Sequence, residues 1–307
     1  MEIGIAVGDL RGASTAAGIV RHVRDAAGLG FRTAWTSQAF GWDALVALTV
    51  ASRVPGIGLG TAVVPAPQRH PLVLAGQALS VQAAVGNRLT LGIGAGIAAM
   101  TGSRFGLPAD RPARRMREYL EVLVPLLHGE EVRHHGETLT AVGSAHVPGT
   151  QPPSVLLAAL GPAMLHLAGE LTDGTVTWMT GPRTLAEHIV PTITRAAAAR
   201  SRPAPRVVAG LLTCVTADEH AVRTRVADRF AMAGQVPEYR AVLDREGASG
   251  PQDVVIVGDE DDVAAGIHRL RDAGVSEFMA APFGTDEEQQ RTTRVLAELI
   301  TNPVRTI

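Results

Sequence analysis

The stretch VLLAALGPAMLHLAGELTDGTVTWMTGP, residues 155–182, decides the fold class. Val155 to Leu160 is a short, continuous apolar run, the pattern of a strand buried on both faces. Gly161-Pro162 then opens a helical segment to Leu171, with proline near the first helical position, where its missing N–H costs nothing. Thr175 to Met179 is a second apolar strand, closed by a second Gly-Pro pair at Gly181 and Pro182. This is strand, helix, strand. Outward from it the unit repeats in both directions. Strands are expected at Ile3–Val7, Arg32–Thr36, Ile57–Val64 and Arg88–Ile93 before it, and at Val207–Val215 and Glu277–Ala281 after it. Helices are expected at Thr15–Leu29, Trp42–Arg53, Pro71–Val85, Pro112–His128, Arg183–Ala199, His220–Ala233, Asp261–Ala273 and Asp286–Leu299. Eight strands alternating with helices predict an α/β fold, a (β/α)8 TIM barrel. An open doubly wound sheet shows the same alternation, so closure is not read from it.

The chain has 307 residues, roughly two average domains, although one barrel can take the whole length. A single domain over 1–307 is expected, with insertions after strand four and strand seven, at about 95–111, 131–150 and 235–258. The middle insertion reads as a hairpin from Val132 to Val147, turning at Gly136 and Gly143. Apolar residues are 46% and charged residues 19%, enough for a large core. The net charge of −2 argues against nucleic acid as a partner. All 28 basic residues are arginine, which excludes lysine Schiff-base chemistry and a Walker-type lysine, and with abundant alanine suggests a high-GC genome. One cysteine, Cys214, excludes an intrachain disulfide and a cysteine-based zinc cluster. No apolar run reaches the roughly 18 residues of a membrane span, and Met1 to Ile5 enters a strand without a signal peptide. A cytoplasmic protein with a small-molecule substrate is the expectation.

Chemistry in such a barrel collects at the C-terminal strand ends. Here those ends read Gly8-Asp9, Ser37-Gln38, Val63-Val64, Gly94 to Gly96, Leu160-Gly161, Thr180-Gly181, Thr216 to Asp218, and Pro282 to Gly284. They are poor in acids and bases, so a bound cofactor would have to carry the chemistry. Three loops suit one. Leu91 to Gly96 ends a strand in glycines, but no helix opens at the spacing of a dinucleotide fingerprint. Ala159 to Pro162 and Trp178 to Pro182 each lead into a helix, and either presents free amides to a phosphate or simply turns tightly. His70, before Pro71, is a helix cap or a ligand contact; Trp42 is core or pocket wall; Trp178 reads as packing. His128, His134, His135 and His146 do not make a metal site, because His134 and His135 point to opposite faces of a strand. Arg111, Arg114, Arg115 and Arg117 read as a solvated face, with Arg111 able to reach a charged cofactor tail. Cys214 reads as inert.

Several segments together resemble the luciferase-like monooxygenase superfamily, especially its actinobacterial branch using the deazaflavin coenzyme F420. They are Gly60 to Pro65 with Arg69-His70-Pro71, Pro112 to Tyr119, Leu156 to Met164, Gly174 to Pro182, and Pro282 to Glu287. The resemblance spans nearly the whole chain and implies a bacterial-luciferase-type barrel with a flavin or deazaflavin ring over its mouth. It implies a non-proline cis peptide at the end of strand three, matched here by Ala62–Val63, and phosphate binding near Ala159 to Pro162. The cofactor residues expected are Ser37, Ala62, Val63, Val64, Gly94, Ala95, Gly96, Ala159, Leu160, Gly161, Pro162, Met179 and Thr180. Substrate contacts are expected from Asp9, Gln38, Trp42 and His70; no residue is assigned as catalytic. The sequence departs from deazaflavin dehydrogenases at two places. Gln38 and Ala39 stand where an Asp-His pair is frequent, and Ile97 follows Gly96 where a Glu is frequent. That disfavours alcohol oxidation and favours reducing an activated C=C, C=N or similar group.

The leading expectation is therefore hydride transfer from reduced F420 to a small organic substrate. One alternative is an FMN-dependent monooxygenase on the same fold. Another is a non-catalytic flavin- or deazaflavin-binding protein. The resemblance also implies a homodimer. The substrate is not legible.

Overall fold

The computed structural model describes residues 1–8 and 14–301. Within them, eight parallel strands close on themselves. They are β1 (Glu2–Ala6), β2 (Thr33–Thr36), β3 (Gly58–Thr61), β5 (Leu89–Gly94), β8 (Ser154–Ala158), β9 (Gly174–Trp178), β10 (Arg206–Val215) and β12 (Glu277–Pro282). Each pairs with the next in that order and β12 returns to β1. The pairing of β9 with β10, from Gly174 opposite Arg206 to Trp178 opposite Gly210, completes the circle. An open doubly wound sheet has no such pairing, so the alternatives left by the sequence resolve to a closed (β/α)8 barrel.

Apolar alternation explains the layers. Residues such as Ile5, Ala34, Leu59, Leu91, Leu157, Ala209 and Phe278 point outward and are buried against the helices. Those helices include α1 (Ala16–Gly28), α2 (Ala44–Val50), α3 (Pro71–Ala84), α5 (Pro112–Leu127), α6 (Pro162–Leu171), α8 (Val190–Ala198), α11 (Glu260–Asp272) and α12 (Asp286–Thr301). Their starts are set by local caps: Thr15 accepts from the Gly18 amide, Asp43 from Leu45 and Val46, and Asp259 forms a capping box with Asp262.

Residues one position over point inward and plug the barrel. Trp35 lies across Gly4 and Gly60, where a Cβ would come within 2.7 Å of its Nε1 and 2.4 Å of its Cε3. Its Nε1 donates to Glu277 Oε1 at 2.9 Å, and Glu277 Oε2 accepts from Arg206 Nη2 at 3.0 Å. Arg206 also reaches Thr90 and Ser154, so one polar network ties five residues on β2, β5, β8, β10 and β12 at the N-terminal end. Above it Leu156, Val176, Val208 and Met279 fill the middle.

The structure departs from the expected elements in places that matter for the site. The single strand expected at Ile57–Val64 is broken: β3 stops at Thr61, and β4 (Val64–Pro65) resumes pairing with β5 at Ile93 and Gly94. The Gly-rich segment after β5 contains α4 (Ala98–Phe105), so a helix does open two residues beyond Gly96, contrary to the sequence reading. The expected hairpin is β6 (Val132–His135) with β7 (Thr140–Gly143). The helix expected at Arg183–Ala199 starts one residue earlier, as α7 (Pro182–Thr184), and passes through a π turn at Leu185–Ile189 before α8. The last insertion, expected at about 235–258, follows α9 (Glu219–Arg229) and holds α10 (Pro237–Glu246) and a further strand, β11 (Ile256–Gly258). β11 takes over from β9 along the upper half of β10, opposite Thr213 to Val215. Val222 and Val226 of α9 share an apolar cluster with Leu212, Cys214, Val257, Ala281 and Phe283, so α9 together with β11 covers the β10–β12 side of the mouth.

Candidate functional site

Because that side is covered, the accessible part of the mouth lies over β2, β3, β5, β8 and β9. The inward-facing layer ends there in Ala62, Val63, Ala158 and Trp178, all half-buried. The Ala62–Val63 peptide is cis, at the break between β3 and β4. Its surroundings hold it on both sides: Ala62 N donates to Thr36 O at 2.7 Å, and Gln38 N donates to Val63 O at 3.3 Å. Gly94 completes this floor. A Cβ there would sit 3.0 Å from Val63 Cγ2 and 3.3 Å from Ala158 Cβ, so glycine keeps the surface flat. Gly96, with φ +71°, carries the chain from β5 toward α4.

Of the expected cofactor residues, Ala62, Val63, Gly94, Ala95, Gly96, Ser37, Leu160, Gly161 and Pro162 are gathered at this opening, none of them fully buried except Gly94. Val64, Ala159 and Met179 turn their side chains into the outer core, so only their backbone is near the mouth. Thr180 is buried and donates to Trp178 O. Two residues that belong to the floor, Ala158 and Trp178, were not assigned to it from sequence. Period-two alternation from Leu156 was the available signal, since Leu156 and Ala158 must share a face.

The two Gly-Pro turns, alike in sequence, differ in structure. At the second, the carboxylate of Glu246 accepts from the Thr184 amide at 2.7 Å and the Arg183 amide at 3.1 Å. The amides read as a phosphate seat at α7 are therefore taken by the chain's own carboxylate, from the C-terminal end of α10. At the first, no side chain caps α6, and Gly161, Pro162 and Ala163 are exposed. A ring nitrogen of His188, in the π turn, lies 2.9 Å from Leu160 O. A carbonyl only accepts, so Nε2 carries the proton and steadies this turn. His188 gave no sequence signal, because its partner is 28 residues away.

At the β2 corner, Gln38 Oε1 accepts from Arg69 Nη2 at 2.9 Å and from Ala44 N at 3.4 Å. Asp43, which caps α2, also pairs with Arg69. His70 caps α3 by accepting from the Leu72 amide, and its other ring nitrogen is 2.9 Å from Thr140 O. Both its nitrogens thus serve the scaffold. Trp42 Nε1 donates to Ser14 O at 2.8 Å and its ring packs on the core. Asp9 lies outside the described residues. Arg111 pairs with Asp110 and Glu137, and Arg114, Arg115 and Arg117 are likewise paired with carboxylates. Burial, with the Glu288 charge adding to it, pushes the Cys214 thiol up to about 12, which suits an inert side chain.

No free carboxylate faces the floor among the described residues. Glu288, near the end of β10, is held by Thr216, Arg225 and the Thr285 amide. Burial pushes its carboxyl up, but these partners outweigh it and keep it ionised below its usual value.

The model of the luciferase-like monooxygenases matches this chain over residues 2–277. The chain belongs to that family. A relative from Mycobacterium tuberculosis, itself an uncharacterized protein, is 32% identical over 233 residues, covering 71% of this chain and 68% of the relative. The 5,10-methylenetetrahydromethanopterin reductase of Archaeoglobus fulgidus is 29% identical over 312 residues, covering 87% and 90%. Among solved structures, the coenzyme F420-dependent tetrahydromethanopterin reductase of Methanopyrus kandleri superposes with a TM-score of 0.80, over 99% of each chain at 22% identity. That last likeness shows the luciferase-like fold. The mouth of the barrel is where this chain presents its candidate site. No helix among the described residues is long and apolar enough to cross a membrane.

Proposed function

We propose that the chain is an oxidoreductase that passes a hydride from reduced coenzyme F420 to an activated C=C, C=N or similar group of a small organic substrate. The observation that carries this reading is the pairing of an apolar floor with one uncapped helix start. Ala62, Val63, Ala158 and Trp178 fit the face of a planar ring. The α6 amides, left open while those of α7 are filled by Glu246, fit a phosphate tail. The bound cofactor would supply the hydride. The protein would supply orientation and a water-poor surface, which is what these residues can do. Among the described residues the floor carries no acid or base, which agrees with a reduction whose proton comes from water or substrate. The reductases among the relatives support the same direction.

The family's monooxygenase description keeps FMN as the second cofactor to be tested. Cofactor-free protein should be titrated with F420 and with FMN, following tryptophan fluorescence. Trp178 lies in the floor, so a ring seated there should quench it. Micromolar saturation by F420 with little effect of FMN is the expected result. Preference for FMN would replace the deazaflavin reading with an FMN-dependent one. Binding of neither would remove the cofactor reading of Ala159 to Pro162, and tight binding with no turnover of enones, imines or nitro compounds would point to a non-catalytic binder.

A further inference from the structure

Two features mark the β2 corner. The Arg69 side chain is 10% exposed, and its Nη1 is buried with no hydrogen-bond partner, although Nη2 and Nε are bonded. A buried guanidinium N–H without an acceptor is costly, so it is ordinarily satisfied. The second feature is the orientation of the Gln38 amide. Two groups that can only donate, a guanidinium and a backbone N–H, meet one of its two polar atoms. That atom must therefore be the oxygen. Its nitrogen therefore meets neither of these two donors, and it sits on a half-buried side chain whose own backbone holds Val63 at the edge of the floor. Arg69 is itself fixed: Asp43 and Gln77 hold its guanidinium, and Tyr119 donates to its carbonyl at 3.1 Å.

We propose that Arg69 is a positioning residue that locks the Gln38 amide as a hydrogen-bond donor at the mouth, and that this corner receives an acceptor oxygen of the substrate, such as a ketone, enone or nitro oxygen. The inference rests on the proposed function in placing the substrate at the same mouth, and it narrows that substrate to one carrying an oxygen acceptor beside its reducible bond. Glutamine without the arginine could turn its amide either way and offer donor or acceptor. With Arg69 in place it offers only N–H. The pair is neutral overall because Asp43 balances Arg69, so the corner suits an uncharged acceptor.

The probes are 2-cyclohexen-1-one and cyclohexene, which differ in the oxygen. Each is titrated into 15N-labelled full-length protein, with and without oxidised F420, following the Gln38 side-chain amide. The enone should shift the Gln38 Nε2 signals and cyclohexene should not. Gln38→Glu keeps an oxygen for Arg69 and Ala44 but removes the donor. It should keep the melting temperature and weaken enone binding about tenfold or more. Arg69→Met should abolish the selective shift, and Arg69→Lys should restore part of it, whereas a purely structural arginine would leave the shift in place in any variant that folds. If Arg69→Met does not fold, Gln38→Glu decides alone. Equal binding of both probes, or unchanged enone binding by Gln38→Glu, would overturn the proposal. If F420 fails to quench while the enone still selects Gln38, the cofactor reading fails and this one stands.

Discussion

The Glu246 carboxylate sits on the first turn of α7, 2.7 Å from the Thr184 amide, where the sequence offers a phosphate seat. Since Thr184 also donates its hydroxyl to Val242 O, α10 is fastened to the barrel at this point. Replacing Glu246 by Ala removes two charge-assisted hydrogen bonds and leaves the Arg183 amide and that of the buried Thr184 without this acceptor. The expected loss is about 1–3 kcal/mol, seen as a fall in Tm of several degrees. Hydrogen exchange should rise across residues 237–258 before the rest of the barrel. Unchanged exchange there would mean that α10 is held by its apolar contacts alone.

Gly92 and Gly94 separate fold from site. A Cβ at Gly92 would lie 2.0 Å from Thr61 O, in the pairing of β3 with β5, and nothing there can yield cheaply. Gly92→Ala should express as an unstable or insoluble protein. A Cβ at Gly94 meets Val63 and Ala158 at 3.0 and 3.3 Å, at the open edge, where neighbours can give. Gly94→Ala should therefore fold, with a Tm within a few degrees of the wild type, yet quench about tenfold less readily with F420. Equal cofactor affinity would place the ring elsewhere.

Glu118 of α5 docks the β6–β7 hairpin. It accepts from the Thr138 amide and hydroxyl, the Glu137 amide and Arg114. Burial pushes its carboxyl up, but these hydrogen bonds more than offset that and bring it down to about 2. A depressed carboxyl contributes stability above its unfolded value, near 4.3, and loses it as pH falls toward the folded one. The hairpin should thus loosen between about pH 4.5 and 2. Proteolysis within residues 132–143 by an acid protease, increasing over that window and abolished as a pH effect by Glu118→Gln, is the check.

At the opposite end of the barrel, Arg206→Ala would leave the 2% exposed Glu277 without its cation. Breaking a buried pair from one side costs about 3–5 kcal/mol. Arg206 is itself 35% exposed, so solvent moderates the loss toward the lower end. The variant should show a lower Tm and a shifted Trp35 emission, because Trp35 Nε1 bonds the same carboxylate. Restoring the balance with Glu277→Gln in the same chain should recover much of the loss; failure to do so would show that Arg206 acts through Thr90 and Ser154 instead.

Much of the barrel was legible because its signals are local. Buried strands read as apolar runs, Gly-Pro marks a βα turn, and Thr15, Asp43 and Asp259 announce their helices within three residues. The non-proline cis peptide was placed by resemblance at Ala62–Val63, where it lies, although the strand break beside it was not expected. The helix after Gly96 was missed because Ala98–Phe105 buries only Thr101 and so has no apolar face to read. β11 was missed because three residues against the upper half of β10 are too few to show a period.

By itself, then, the sequence determined the order of strands and helices, their inward and outward faces, and the scarcity of acids and bases at the strand ends. All of these follow from backbone periodicity and residue type within a short window. Only the tertiary structure decided that β9 meets β10 to close the barrel, that Glu246 fills one Gly-Pro turn and leaves the other open, and that Arg69 turns the amide of Gln38. These pairs stand 62 and 31 residues apart in the last two cases. Two turns of the same residue type are equivalent until the folded chain brings a distant carboxylate to one of them.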